Sequence, residues 1–234
     1  MSSKEIAVKE KNELVVPEAG FGIADDASAD DIIVPRFAIM QNLSPYRDKV
    51  EGGKVGDLVD LEEMEILPRP LECIAVHLEK NWKVKDVEGE FIRSEPFDAR
   101  DPRKEYEFEE DGVTLLRKLF YNFFCLLPQV SMDFPYLFSC GGNSENSRAA
   151  KSLITKCQKL QTENKPSWSI VFELNTGNKK EGKKDYWYFI QAPGRETTKE
   201  ERDAAVSLAM QIRNARAKFV VNESVSEPEE EIVI

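Results

Sequence analysis

The hydrophobic pattern changes period near residue 145, and this change limits the folds open to the chain. Alternating apolar residues predict a long bent strand over Leu71–Val84, a second strand over Phe91–Phe97 and a third over Leu115–Leu127. Apolar residues then recur at helical spacing from Ala150 to Leu160. A β-sheet followed by an amphipathic helix is therefore expected.

The second half of the chain also passes from strand to helix. Two strands are predicted over Trp168–Leu174 and Tyr186–Ile190, and a capping box formed by Thr198 and Glu201 begins a last helix. Three strands, a helix, two strands and a helix follow the element order of an OB-fold. The sequence thus predicts a mainly β protein with helices (α+β). Its core would be an OB-fold-like five-stranded barrel with an N-terminal strand extension and a C-terminal helix.

Charge divides the chain into three parts. Residues 1–30 lack periodicity and hold three lysines against seven acidic residues, so we expect a disordered N-terminal segment. Residues 219–234 hold five glutamates and no basic residue, which predicts an acidic C-terminal tail. The two ends carry most of the net charge of −11. Residues 31–218 should therefore form one nearly balanced domain in which a basic surface can exist.

Composition disfavours several classes of protein. No apolar run reaches membrane-spanning length and the first residues lack a signal-peptide core, which predicts a soluble cytoplasmic protein. The cysteines, Cys73, Cys125, Cys140 and Cys157, form no CxxC pair, and His77 is the single histidine. We expect buried reduced thiols rather than a zinc site, a disulfide framework or a Cys–His catalytic pair.

Two further motifs could carry chemistry. Gly141–Ser144 precedes the first helix and could hold a phosphate, but the Walker lysine is missing, so a helix cap at Asn143 or Ser144 is the favoured interpretation. The acidic residues between Glu105 and Asp111 could gather a divalent metal for nuclease chemistry, although such charge runs are usually solvated. We therefore expect a non-enzymatic protein with no metal and no cofactor.

Lysines and aromatic rings around the last hairpin indicate nucleic-acid binding. Lysines release counterions from phosphates, and rings on a strand surface stack on unpaired bases of any kind. The candidate DNA-binding residues are Lys80, Trp82, Lys83, Lys85, Tyr121, Trp168, Lys179, Lys180, Lys183, Lys184, Tyr186, Trp187 and Tyr188. Core packing is the alternative for the rings, and a solvated hairpin tip is the alternative for the lysine loop. Strand alternation requires that either Trp187 or the pair Tyr186 and Tyr188 points outward.

The acidic tail ends in three apolar residues that could bind a partner. Pro228 and the adjacent like charges oppose regular structure, so the apolar end should remain available to a partner's groove. The candidate partner-binding residues are Glu229, Glu230, Glu231, Ile232, Val233 and Ile234. An ordinary frayed terminus is the alternative interpretation.

Short motifs through the domain resemble a family of bacteriophage single-stranded DNA-binding proteins. They are Val34–Phe37, Gln41–Pro45, the glycine-punctuated Gly53–Asp57, Pro166–Thr176 and Lys183–Tyr188. The resemblance implies phage or prophage DNA replication or recombination inside a bacterial cell and sequence-tolerant binding of single strands. It also implies a tail that recruits replication or recombination proteins, and the protein could form a homo-oligomer. Arg36 and Gln41 would either contact DNA or organise the fold. A phage adaptor protein without direct DNA binding is the other hypothesis.

Overall fold

The computed structural model describes residues 34–101, 107–181 and 184–223, without the side chains of Glu181, Lys184 and residues 214–223. The described residues belong to one unit, which is mainly β. The strands are β1 Phe37–Ile39, β2 Leu58–Asp60, β3 Leu71–Asp86, β4 Phe91–Pro96, β5 Glu107–Glu110, β6 Val113–Leu127, β7 Ser131–Gly141, β8 Ile170–Glu181 and β9 Lys184–Glu196. The helices are α1 Ser144–Thr162, a short 3-10 helix Ser167–Ser169 and α2 Lys199–Glu223.

The long strand β3 organises the antiparallel sheet. Its first residues, Leu71–Cys73, pair with β8, and the remainder from Ile74 to Asp86 pairs with β6. A register shift between Ala75 and His77 marks the change, as expected where a strand bends. Since β6 also pairs with β7 and β8 also pairs with β9, the strands follow the order β7-β6-β3-β8-β9.

A four-stranded extension, which we call the wing, continues β3 and β6 beyond this sheet. It consists of Asn81–Asp86, β4, β5 and Val113–Phe120 in the order β4-β3-β6-β5. Arg117 is buried inside it, with Nη1 2.8 Å from Asp101 Oδ2 and the guanidinium carbon 4.3 Å from the centre of the Trp82 ring. This buried cation and its partners join the two inner strands of the wing to the chain that follows β4.

Two apolar cores hold the helices against the sheet. The larger one lies between the strands and α1, where Phe138 stacks on Phe123 with ring centroids 5.0 Å apart. The second packs Ala205 and Leu208 of α2 against Ile74. The first half of β3 is therefore covered on both faces, which explains its nearly continuous burial. Among the described residues no helix is long and apolar enough to cross a membrane.

The structure confirms most of the predicted elements. β3, β4, β6, α1, the last hairpin and α2 lie where the pattern indicates, although β8 begins only at Ile170. Asn143, not Ser144, caps α1, with its Oδ1 2.8 Å from the amide N of Asn146. Thr198 and Glu201 form the predicted capping box. β5 and β7 are additional strands, and α2 ends at Glu223, inside the segment 219–234 that charge alone assigned to the tail.

The five-stranded barrel is not confirmed, because β7 and β9 share no ladder in the described part of the chain. The segment from Pro35 to Gln41, which contains β1, lies at this gap instead. The amide N of Leu137 in β7 donates to the carbonyl of Pro35 over 2.8 Å. On the side of β9, the Gln41 side chain accepts from the amide N of Trp187 and donates to its carbonyl, both at 2.9 Å. A backbone hydrogen bond on the side of β7 and the Gln41 side-chain amide on the side of β9 thus take the place of the strand pairing that would close a barrel.

Candidate nucleic-acid interface

Strand alternation exposes one face of β3, β6 and β7, which we call the outer face. Residues paired across an antiparallel ladder project to the same side of the sheet. The register therefore groups His77, Glu79, Asn81, Lys83, Lys85, Leu116, Lys118, Phe120, Asn122, Phe124, Leu137, Ser139 and Gly141. Tyr121, Phe123 and Cys125 project to the opposite side and are buried in the main core. The outer face consequently carries the polar and half-buried residues of these strands.

Phe120 lies near the centre of the outer face beneath a lysine. Nζ of Lys83 is 4.3 Å from the centre of the Phe120 ring, within the range of a cation–π contact. The ring also lies against the end of β7, where a Cβ added at Gly142 would come within 3.0 Å of Phe120 Cζ. Gly142 has a φ of +77°, which glycine adopts readily. A glycine at this position lets the ring rest against the backbone.

Positive charge gathers around this ring. Burial lowers the pKa of Lys83, and the nearby charges of Arg36 and Lys85 lower it further. Arg36 is exposed and bridges β1 to Leu137 of β7. Among the described residues of β3, β6 and β7 in this group, Glu79 is the single acidic one, and Glu107 and Glu109 of β5 continue the same side beyond Leu116. The outer face is therefore basic and aromatic within a chain whose net charge is −11.

Four candidates from β3 are divided between its two sides. Lys83 and Lys85 lie on the outer face, whereas Lys80 and Trp82 project to the other side, because residues two apart share a face and odd and even positions do not. The side chain of Trp82 is 9% exposed and that of Tyr121 is 5% exposed. Both rings are packed inside the protein, as in the core-packing alternative, and this burial leaves no free ring face for a base.

The lysine loop is only partly described. Nζ of Lys179 is 2.8 Å from Oε1 of Glu145, and this hydrogen bond lowers the pKa of the Glu145 carboxyl. Lys180 is exposed at the end of β8. Lys183 and the side chain of Lys184 lie outside the described residues. Of the two lysines whose side chains the structure describes here, Lys179 holds the hairpin to α1 and Lys180 projects into solvent.

The hairpin aromatics follow the predicted alternation. Trp187 packs against the main core and over Gly56, where an added Cβ would come within 2.6 Å of the ring. Tyr186 and Tyr188 therefore project to the outside of β9 and are half-buried. Trp168 lies in the 3-10 helix and packs on the second core beside α2. These rings lie in β9 and the 3-10 helix, outside the ladder of β3, β6 and β7 that carries Phe120.

Sequence reasoning missed the basic and aromatic residues that β6 contributes to the outer face. Lys118, Phe120 and Phe124 alternate with the buried residues of β6, and this alternation was the signal that could have identified them. The six tail residues predicted to bind a partner lie outside the described residues. The described residues also include no cluster of three or more His, Cys, Asp or Glu side chains that could hold a metal ion. Glu110, from the acidic run, instead pairs with Arg93 at 2.7 Å.

Comparison with known proteins identifies a phage family. No curated protein and no solved structure shows a significant match to the chain. A family model described as "Pam3 phage gp34-like protein" matches residues 16–218. This match covers most of the 234 residues, including every strand of the described part of the chain. The chain therefore belongs to the Pam3 phage gp34-like family.

Proposed function

We propose that this protein binds single-stranded DNA without sequence preference on the outer face of β3, β6 and β7. The contact between Lys83 and Phe120 carries the proposal. An aromatic ring on an open sheet surface can stack on any unpaired base, and neighbouring cations can neutralise the phosphates that flank the base. Phe124 supplies a second ring on the same strand face, four residues from Phe120.

The strand order also supports this function. We interpret β7-β6-β3-β8-β9, with α1 between β7 and β8, as an OB-like arrangement in which β1 and Gln41 occupy the gap of the barrel. In OB-folds the second and third strands form the oligonucleotide-binding face. Their counterparts here are β6 and β7, which carry Phe120, Asn122 and Ser139. The phage family agrees with a role in phage DNA replication or recombination in the bacterial cytoplasm.

A protein-binding adaptor is the second candidate, and one surface favours it. The end of the wing exposes Val87, Phe91, Ile92 and Val113, with 64%, 58%, 45% and 54% of each residue accessible. An exposed apolar cluster of this kind often marks a protein-binding surface. The adaptor hypothesis requires no DNA binding, whereas the first proposal requires it. A binding assay with variants of the outer face therefore separates the two.

The test of the first proposal compares matched substitutions. Phe120→Ala should weaken binding to fluorescent oligo-dT by about 1 to 3 kcal/mol, because one base loses its stacking partner. Phe134→Ala is the control. Phe134 is an exposed ring of β7, 63% accessible, but it precedes Leu137, the first residue of β7 on the outer face. Binding to duplex DNA should stay weak for all variants.

A charge comparison complements the aromatic one. Lys83→Gln should lower affinity about equally for all single-strand sequences and flatten the salt dependence by at most about 0.7 for each phosphate that the lysine had neutralised. Lys159→Gln, on the exposed last turn of α1, should leave both unchanged. Equal effects of Phe120→Ala and Phe134→Ala, together with equal effects of the two lysine variants, would contradict an interface on the outer face.

The acidic tail is proposed to compete with DNA and to recruit partners. Deletion of residues 222–234 should raise affinity for single strands, most clearly at low salt, because five glutamates no longer compete for the basic face. Deletion of only Ile232–Ile234 should leave DNA affinity unchanged and abolish binding to a replication or recombination protein. Unchanged DNA affinity after the full deletion would show that the tail does not compete with DNA for the outer face.

A further inference from the structure

A cavity of about 380 Å³ lies between the wing and the first residues of α1. The wing contributes Trp82, Arg117 and Lys118, and the helix contributes Asn143, Ser147 and Lys151. Of the described residues that line it, three are basic and none is acidic. Such a lining is unexpected in a chain with a net charge of −11, and it indicates a site for an anion.

Two residues that line this cavity carry buried donors without partners. Arg117 is 1% exposed, and although Nη1 pairs with Asp101, its Nε and Nη2 have no hydrogen-bond partner among the described residues. Nε1 of Trp82 is also buried and has no hydrogen-bond partner among the described residues. Buried polar groups in folded proteins nearly always have partners, and an unpaired one costs free energy. A ligand rich in acceptor oxygens that entered deeply enough to reach both residues would satisfy these donors.

The beginning of α1 adds a second source of positive potential. A 19-residue helix carries a partial positive charge at its N-terminus, where phosphates commonly bind. Glu145 in the first turn would oppose an anion, but its carboxylate is paired with Lys179 at 2.8 Å and Arg148 at 3.1 Å. Glu145 is also absent from the described lining of the cavity. Lys151 and the Ser147 hydroxyl remain on the cavity side.

We propose that this cavity binds a phosphate group. Phosphate fits the lining because it presents several acceptor oxygens at once to guanidinium, ammonium, hydroxyl and indole donors. The group could be free phosphate or the terminal phosphate of a DNA strand. Trp82 and Arg117 project away from the outer face, whereas Lys118 borders both the cavity and that face. The site therefore adjoins the proposed stacking surface, but phosphate binding there does not require a base stacked on Phe120.

The test follows the indole N–H resonance of Trp82, assigned with Trp82→Phe, while inorganic phosphate is added to the full chain. Phosphate should shift this resonance, and the indole resonances of Trp168 and Trp187 should stay in place. Lys151→Gln should weaken phosphate binding by about three- to tenfold, the reduction expected for one charged hydrogen bond. Lys159→Gln, at the other end of the same helix, is the control and should have no effect. Both lysines are exposed, so neither change should unfold the protein.

The source of the phosphate is distinguished with two dT oligomers, one with a 5′-phosphate and one with a 5′-hydroxyl. If the phosphorylated strand shifts the Trp82 resonance more than the hydroxyl strand does, the site binds the end of a strand. If the two strands give equal shifts that are smaller than the shift with inorganic phosphate, the site binds the free anion. No shift with any phosphate, or equally weakened binding in Lys151→Gln and Lys159→Gln, would overturn the proposal. If the hydroxyl strand still binds in that case, single-strand binding stands without the cavity. If phosphate binds and no oligomer does, the cavity stands and the proposed function fails.

Discussion

Replacement of Gln41 tests whether its side chain holds the segment around β1 to β9, where it fills the gap between β7 and β9. Gln41→Ala removes two hydrogen bonds to the backbone of Trp187, each 2.9 Å long. A hydrogen bond contributes on the order of 0.5 to 1.5 kcal/mol net, so the variant should lose about 2 kcal/mol of unfolding free energy. For a domain of this size that corresponds to a Tm lower by about 4 to 8 °C.

Urea denaturation followed by tryptophan fluorescence measures the difference, and Gln129→Ala provides the control. Gln129 makes one exposed hydrogen bond, from the amide N of Glu72, so its removal should cost less than about 1 kcal/mol. Gln41→Glu keeps an acceptor for the amide N of Trp187 but cannot donate to its carbonyl, and it should also be destabilised. Equal stability of the Gln41→Ala and Gln129→Ala variants would refute closure by the Gln41 amide.

Three further predictions concern backbone, charge and thiol chemistry. Gly56→Ala should destabilise the fold far more than Gly52→Ala in thermal denaturation, because both have positive φ but only the first meets a ring, at 2.6 Å. The hydrogen bond from Arg195 lowers the pKa of Glu201 in the folded state. Its stabilising effect is therefore complete above the unfolded pKa of about 4.3 and is lost as the pH falls through the lower folded value. Glu201→Gln should accordingly be about 1 kcal/mol less stable at pH 7, with the difference shrinking below pH 4 in urea titrations. Burial raises the pKa of the Cys157 thiol to about 11. Its reaction with a thiol reagent should therefore be slow at pH 8 and become faster as the pH rises toward about 11, because the thiolate is the reactive form.

Elements with an uninterrupted period were predictable from the sequence. β6 and α1 each carry a long pattern in which one face is buried, and β3 carries a long apolar run whose first half is buried on both faces. The limits of all three lie close to those predicted. β7 was missed because Asp133 and Pro135 interrupt its alternation, and its tertiary pairing with β6 overrides that local signal. The closure of the gap by Gln41 depends on a residue 146 positions away, and no local pattern reports such a contact.

The candidate site was predicted only in outline. Basic and aromatic residues near β3 and β6 were identified, but the choice of Tyr121 over Phe120 placed the ring on the buried side. A shift of one residue reverses the face of a strand side chain, and composition cannot decide between the two when both are aromatic. Lys83 was assigned without its partner, because the contact with Phe120 requires the register between β3 and β6.

A salt titration of oligo-dT binding tests the central claim most directly. If Lys83, Lys85, Lys118 and Arg36 face phosphates, log affinity for a fluorescent dT oligomer should fall linearly with log salt, with a slope of about −0.7 per phosphate neutralised. Phe120→Ala should lower the affinity at every salt concentration without changing that slope, because stacking carries no charge. Absence of binding at low salt, or a Phe120→Ala variant that folds and binds as tightly as the wild type, would contradict single-strand binding on the outer face.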